Sequence, residues 1–483
     1  MMTILWSTDE LTAAVAGRLE GCAPAAIGGI SIDSRTAAPG DAFFAIRGER
    51  FDGHDFVPQA LRAGAALAVV SAARRPEGAG PLLVIEDDPL DALERLGRAG
   101  RSRAAAEIVA VTGSVGKTGT KEMLRAGFAT LGATHAPVGS FNNHWGVPLT
   151  LARMPRETRF GIFELGMNHA GEIRPLTRMV RPHVAIVTTV GPVHIEFFSD
   201  EAGIAEAKAE IFEGLEPGGT AILNRDNRWF DLLAGRAARA GARIVGFGEH
   251  ADAAVRLVKA ELGPEGSTVH AEIDGSAIAY RLGAPGRHLV QNSLAVIGAA
   301  HVLGADLPRF AEALADFRAP KGRGERHRLA HPGGDFTLID ESYNANPASM
   351  RAALALLGQA VPAAGGRRIA VLGDMRELGG RSRDLHADLA GPVAEAGADL
   401  VFLAGPEMKA LWDVLPAARQ GGYAATAEAL TPVVAEAVRP GDVLMVKASL
   451  GSRLGPLVEE LRRRFAPAQA AEPRRAAGGA ARC

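Results

Sequence analysis

Short apolar runs, each closed by a glycine or a polar cluster, alternate along this chain with longer stretches in which apolar residues return every three or four positions. Ile30–Ile32, Ala42–Ile46, Ala66–Val70 and Leu82–Ile85 are predicted strands, and Pro89–Ala106, with Leu90, Leu93 and Leu96 at helical spacing, is a predicted helix leading out of this first unit. A second series opens with Glu107-Ile-Val-Ala-Val-Thr112 and continues through predicted strands Phe160–Leu165, Val184–Val190, Thr220–Leu223 and Ile244–Phe247. Helix-length segments separate them, and that rhythm predicts a parallel sheet covered on both faces. Residues 252–283 alternate with a period of two, which predicts antiparallel strands at the edge of the middle domain, and a helix follows over His288–Leu303. The basic, glycine-rich stretch Ala319–Glu325 reads as a linker. Beyond it Phe336–Asp340, Ile369–Leu372, Leu400–Leu403 and Val443–Val446 are predicted strands of a third α/β unit, and the tail from Ala466 has too little to bury to be ordered.

Length agrees with this division: 483 residues, at about 150 per domain, predict about three domains. Lys and Arg number 53 against 55 Asp and Glu, a formal charge of −2, so no global charge draws the chain to nucleic acid or an anionic membrane. Cys22 and Cys483 are too few and too far apart for a disulfide framework or a zinc site, which points to a reducing compartment. No stretch approaches the ~18 uninterrupted apolar residues of a membrane helix. Asp9 and Glu10 stand where a signal peptide would be basic. The expectation is a cytoplasmic, soluble protein.

The most informative segment is Val109-Ala-Val-Thr-Gly-Ser-Val-Gly-Lys-Thr118, a buried-type strand that runs through a glycine loop into a helix. Backbone N–H groups at such a helix start cradle phosphate, Lys117 reaches the terminal phosphates, and the Thr118 hydroxyl suits Mg²⁺. The loop is a shortened variant, because Val111 occupies the position of the first glycine of the usual pattern. Glu164 ends the next strand, and His194 follows the one after, in Gly191-Pro-Val-His-Ile-Glu196. Both fall at the carboxyl edge of a parallel sheet, where nucleotides bind. Two further polar clusters follow apolar strands, Asp340-Glu-Ser-Tyr-Asn-Ala-Asn-Pro347 and Gly373-Asp-Met-Arg-Glu-Leu-Gly379. Lys208, between Glu206 and Glu210 on a predicted amphipathic helix Glu201–Phe212, reads by itself as a solvated face residue.

From about residue 28 to about 460, these segments in this order resemble the Mur ligase family, ATP-dependent enzymes that build the peptide of the bacterial cell wall. Glu164-Leu-Gly-Met-Asn-His-Ala-Gly-Glu-Ile173 and Asp340–Pro347 are most similar to members that add D-alanyl-D-alanine to UDP-N-acetylmuramoyl-tripeptide; Ser140-Phe-Asn-Asn-His-Trp-Gly-Val-Pro148 and Gly373–Gly379 agree. The resemblance implies an α/β fold of three domains: a small N-terminal UDP-sugar domain (1–103), a central P-loop ATPase domain with a parallel sheet (104–322) and a C-terminal Rossmann-like domain (323–465), followed by a disordered tail (466–483).

It also implies roles. Asp33, Ser34 and Arg35 would hold the UDP-sugar, and Thr112, Gly113, Ser114, Val115, Gly116, Lys117 and Thr118 the ATP phosphates. Thr118 and Glu164 would bind one Mg²⁺; His194 and a carbamylated Lys208 would help place a second. Asn292, Arg323, Asp340, Tyr343 and Asn344 would contact ATP, with Lys117, Lys208, His194 and Arg323 as the catalytic set. Asn142, Asn143, Asn168 and His169 would line the substrate, and Asn346 and Lys447 would lie near the dipeptide. Phe198, and Ala448 after Lys447, depart from the family pattern, which often has glycine at both. The expected partners are the UDP-sugar tripeptide, D-alanyl-D-alanine and ATP, acting on a monomer, with closure of the third domain onto the middle one. The third residue of the tripeptide, diaminopimelate or lysine, has no motif.

Rival readings are a sister Mur ligase that adds a diamino acid, a folylpolyglutamate synthetase-like ligase, and a nucleotide-binding protein without catalysis. A GTP switch would need Asn-Lys-x-Asp, and the nearest string, Asn224-Arg-Asp-Asn227, ends in Asn.

Overall fold

The computed structural model describes residues 4–78 and 80–466. The chain divides into compact units at Arg318/Ala319, at the start of the predicted linker. The expectation for the tail falls, apart from Ala466, outside the described residues.

The first unit holds a five-stranded sheet in the order Arg18–Glu20, Leu82–Ile85, Leu67–Ser71, Asp41–Phe44, Gly29–Ser31. All neighbours are parallel except the Arg18–Glu20 edge. Helix Pro89–Arg103 leads to the second sheet, nine strands in which Glu107–Thr112 lies third from one edge, between Phe160–Glu164 and Val184–Val187. Successive residues of Glu107–Thr112 enter opposite cores. Val109 and Val111 pack with Met123, Leu124 and Phe128 of the following helix, while Ile108 and Ala110 pack with Phe163, Val187 and Ile204. A strand buried on both faces has no polar alternation to show, which is why it reads as a continuous apolar run.

Val255–Gly263, Gly266–Ile273 and Ser276–Leu282 form the expected antiparallel edge, and helix Arg287–Val302 follows. The strand expected over Val184–Val190 stops at Val187. The reason lies beyond it, where the Thr188 hydroxyl donates to the Val115 carbonyl (2.6 Å) and Ser114 N–H donates to the Thr189 carbonyl (2.8 Å), turning this backbone to the glycine loop instead of a neighbouring strand. The predicted helix over Glu201–Phe212 is α-helical only to Ala209 and tightens into a 3-10 segment, Glu210–Gly214.

The second unit contains a six-stranded sheet in the order Glu325–His331, Gly334–Glu341, Val443–Lys447, Arg368–Gly373, Leu400–Ala404, Gln420–Ala424. All pairs are parallel but the first, a hairpin with register Glu325↔Asp340. The four strands expected here are present. Glu325–His331 was not expected, because its charged and imidazole side chains leave only Leu329 fully buried, as an edge strand permits. Ala448 is fully buried in this core.

Candidate active site

Because strand Glu107–Thr112 of the nine-stranded sheet pairs in parallel on both sides, Thr112, Glu164 and Thr188 all emerge at one edge. Between Thr112 and helix Lys117–Ala129 the chain makes a tight loop that depends on glycine twice. At Gly113 (φ 148°) a Cβ would lie 1.9 Å from the Thr188 hydroxyl oxygen, and at Gly116 (φ 87°) 2.5 Å from the Asn292 amide nitrogen. Both positions combine left-handed backbone with no room for a side chain. Asn292, from helix Arg287–Val302, is therefore seated on the loop. Lys117 Nζ donates to the Gly113 carbonyl at 2.7 Å, folding the lysine back over the loop at the helix start, where unpaired N–H groups favour an anion.

Thr118, the second residue of that helix, stands beside Glu164. The Thr118 hydroxyl donates to Glu164 Oε2 at 2.9 Å, and Asn142 Nδ2 donates to the other oxygen, Oε1, at 2.7 Å. Glu164 is 1% exposed and Thr118 4%, so the carboxylate is withdrawn from bulk water yet holds one partner on each oxygen. Ser140 Oγ is 3.3 Å from Thr118 Oγ1. Asn142, expected among substrate contacts, thus sits on the carboxylate; Asn143 turns the chain into helix Gly146–Ala152 by accepting from Gly146 N–H at 2.9 Å.

Lys208 contradicts its reading as a solvated residue. It is 3% exposed, and among the described residues no carboxylate pairs with it. Burial first, and then the nearby Lys117 ammonium, hold its amine well below the ordinary lysine range. The flanking acids explain the misreading: Glu206 points outward to Arg236 at 2.6 Å, while Glu210 is itself buried and accepts from Gly171 N–H (2.6 Å) and Arg174 N–H (3.0 Å). Burial of this lysine depends on what packs over the helix and left no local signal. His194, in left-handed backbone (φ 60°), follows the Val184–Val187 strand and opens a short 3-10 turn. Asn168 N–H and the His169 ring both bond Glu172, at 2.8 and 3.0 Å.

Asp33, Ser34 and Arg35 follow strand Gly29–Ser31 and form their own cluster. Arg35 donates to both Asp33 oxygens, at 2.6 Å from Nη2 and 2.9 Å from Nε, and this bond holds the Asp33 carboxyl below its usual range.

In the second unit, the Arg323 guanidinium stacks 4.3 Å above the Tyr343 ring, an aromatic platform close to Asn344 in sequence. Asp340 is buried and accepts from Ser342 N–H (3.0 Å) and Oγ (2.6 Å). Asn346 and Lys447, expected beside the dipeptide, have other partners: Asn346 caps helix Pro347–Gln359 through Ser349 N–H at 2.9 Å, and buried Lys447 donates to Glu341 (3.0 Å) and the Asn344 carbonyl (2.9 Å).

A glycine loop at a helix start, beside a buried hydroxyl–carboxylate pair at the edge of a parallel sheet, defines a nucleotide-dependent phosphoryl-transfer site. Three family profiles match the chain in order: the Mur ligase family catalytic domain over 26–100, the Mur ligase middle domain over 111–300, and the Mur ligase glutamate ligase domain over 322–450. The chain belongs to the Mur ligase family. Among its relatives, the UDP-N-acetylmuramoyl-tripeptide–D-alanyl-D-alanine ligase of Synechocystis sp. is 36% identical over 447 residues, covering 90% of this chain and 92% of the relative. The enzyme of that name from Escherichia coli is 36% identical over 405 residues, 83% and 86% of the two chains. Among solved structures, MurF from Acinetobacter baumannii superposes with a TM-score of 0.82 at 32% identity, over 95% of this chain and 99% of its own. MurF ligase from Thermotoga maritima, in complex with ADP, gives 0.75 at 27% identity, over 90% and 98%.

Proposed function

We propose that this chain joins D-alanyl-D-alanine to UDP-N-acetylmuramoyl-tripeptide, with cleavage of ATP to ADP and phosphate, in the synthesis of cell-wall precursor. The observation that carries the chemistry is the Thr118–Glu164–Asn142 corner beside the Gly113–Lys117 loop. The relatives' full-length match carries the substrates.

A carboxylate and an amine do not condense in water without activation. The tripeptide carboxylate attacks the ATP γ-phosphorus, the bond from that phosphorus to the bridging oxygen breaks, and ADP leaves an acyl phosphate. The dipeptide amine then adds to the acyl carbon, loses a proton, and the tetrahedral intermediate expels phosphate. Two anions must meet in the first step, so Lys117 supplies positive charge where negative charge gathers, and the N–H groups of residues 113–118 orient the phosphates. Holding the two reactants in line supplies much of the remainder.

Thr118 and Glu164 are hard oxygen donors side by side, a set that suits Mg²⁺, and we assign them to one such ion, whose chemistry is to neutralise phosphate charge. For a second ion we propose His194 and Lys208. Burial that lowers the pKa of the Lys208 amine favours its neutral form, which is nucleophilic toward carbon dioxide; addition with loss of one proton gives a carbamate, an anionic oxygen ligand. Asn292, Arg323, Asp340, Tyr343 and Asn344 are proposed ATP contacts. Asp33, Ser34 and Arg35, and at the peptide end Asn143, Asn168 and His169, are proposed substrate contacts. The boundaries 1–103, 104–322 and 323–465 are proposed for the domains, and a cytoplasmic monomer for the working form. Among the described residues no helix is long and apolar enough to cross a membrane.

The test is ATP-dependent phosphate release with UDP-N-acetylmuramoyl-tripeptide, with and without D-alanyl-D-alanine. Release that requires both, with a pentapeptide product by mass, is expected. Release only with a diamino acid or with folate and glutamate would move the substrate to a rival reading.

A further inference from the structure

Lys121 lies on helix Lys117–Ala129 three residues beyond Thr118, and none of its surface is exposed. A buried ammonium is costly unless each of its three donors has a partner, and here each does. Nζ donates to the carbonyls of Pro137 and Gly139, both at 2.9 Å, and pairs with Glu122 at 2.5 Å. Burial alone would raise the Glu122 carboxyl, but bonds from Lys121 and Arg125 outweigh it and hold the group low, so the anion that balances Lys121 stays charged.

The two carbonyls belong to the segment that runs directly into the metal corner. Immediately after Gly139, Ser140 Oγ approaches Thr118 Oγ1 at 3.3 Å. Two residues further, Asn142 Nδ2 donates to Glu164 Oε1 at 2.7 Å, and the Asn142 carbonyl accepts from Gly166 N–H at 2.8 Å. Helix and loop are therefore joined twice over: by Lys121 below, and by Thr118 and Ser140 above. With one Glu164 oxygen taken by Asn142 and the other by Thr118, the carboxylate has a single orientation.

We propose that Lys121 is a positioning residue: by gripping the Pro137 and Gly139 carbonyls it fixes Asn142 on Glu164, and so sets the carboxylate for a divalent cation. This rests on the reading of Thr118 and Glu164 as cation ligands. With none of its surface exposed, Lys121 is enclosed by protein rather than offered to a ligand. Its effect passes through the loop, and outer partners of a metal ligand typically matter to cation affinity by about ten- to a hundredfold.

The experiment titrates Mn²⁺ into the full chain with a non-hydrolysable ATP analogue, reading bound metal by electron paramagnetic resonance. Lys121→Met is expected to weaken Mn²⁺ binding by about tenfold. Asn142→Ala should give a loss of similar size, and the double variant no more than the larger single loss, because both cut one relay. Lys121→Arg, which keeps charge and donors, should recover part of the affinity. A Lys121→Met chain that binds Mn²⁺ normally and differs only in melting temperature overturns the proposal, as do fully additive losses. Should Lys121→Met fail to fold, Asn142→Ala decides alone, and unchanged Mn²⁺ affinity there sinks the relay. Glu164→Gln separates the two levels. Unaltered Mn²⁺ binding in that variant removes the cation site and the proposal with it, whereas loss there with none at Lys121 or Asn142 removes the relay only.

Discussion

Two charged motifs of the first unit follow sheet strands and differ in almost everything else. The Thr118–Glu164 corner is dry, with 4% and 1% of its two residues exposed. The Asp33–Arg35 pair is wet, its side chains 34% and 81% exposed. In the corner each carboxylate oxygen is held by a different element, whereas one side chain, Arg35, holds both oxygens of Asp33. Electrostatic interactions strengthen as water is excluded, so the first arrangement can bias a transition state, while an exposed pair is screened and readily exchanged. The contrast fits a division of labour in which dry groups meet the transferring phosphoryl and wet ones meet a bulky anionic handle.

The harshest way to break the contrast is at the loop. Lys117→Ala should lower kcat by about a thousandfold with the fold intact, as loss of a preorganised charge at a transition state does. Single-turnover phosphate release, with circular dichroism as control, measures it, and a near-normal rate would take Lys117 out of the chemistry. Next comes Lys208. Lys208→Arg should cost about a hundredfold in activity, partly restored by short carboxylic acids that place an oxygen anion where the proposed carbamate would be; no rescue argues against a carbamate.

The same residue gives a pH test. Its folded pKa lies below the ordinary lysine range, so unfolding takes up a proton in the interval between the two values. Stability from the neutral amine is therefore complete above the ordinary lysine range and declines as pH falls toward the folded value. In carbon-dioxide-free buffer, denaturation of the native chain should show this slope and Lys208→Met should lack it. Equal slopes would mean that Lys208 is charged in the folded chain.

At the wet end the effect should be smaller and of another kind. Arg35→Ala is expected to raise KM for the UDP-sugar by about tenfold and leave kcat unchanged, the mark of an interaction equally strong in ground and transition states. Added salt should mimic it, whereas Lys117 should be far less sensitive. A fall in kcat without change in KM would erase the distinction between the two regions.

How much was legible follows the same line. Leu82–Ile85 and Glu107–Thr112 could be read to the residue, because an apolar run between polar boundaries is a local property. The glycine loop and Glu164 at its strand end were equally local. Lys208 was not, since its burial is decided by what packs on the helix, and Asn142 bonds a carboxylate 22 residues away. Edge strand Glu325–His331 escaped because an edge can carry charge.

Asn346 tests whether a motif residue serves chemistry or fold. Its side chain accepts from Ser349 N–H while Ser349 Oγ accepts from Asn346 N–H, a reciprocal cap on helix Pro347–Gln359. Asn346→Ala should destabilise the second unit by about 1 kcal/mol, a modest shift in a urea midpoint. Asn346→Asp keeps an acceptor for the cap and replaces the amide donor with a charge. Retained stability together with retained kcat/KM for D-alanyl-D-alanine would make Asn346 a cap alone. Retained stability with a raised KM for the dipeptide would show that the residue also meets substrate, placing it between the dry corner and the wet motif as a group that does both.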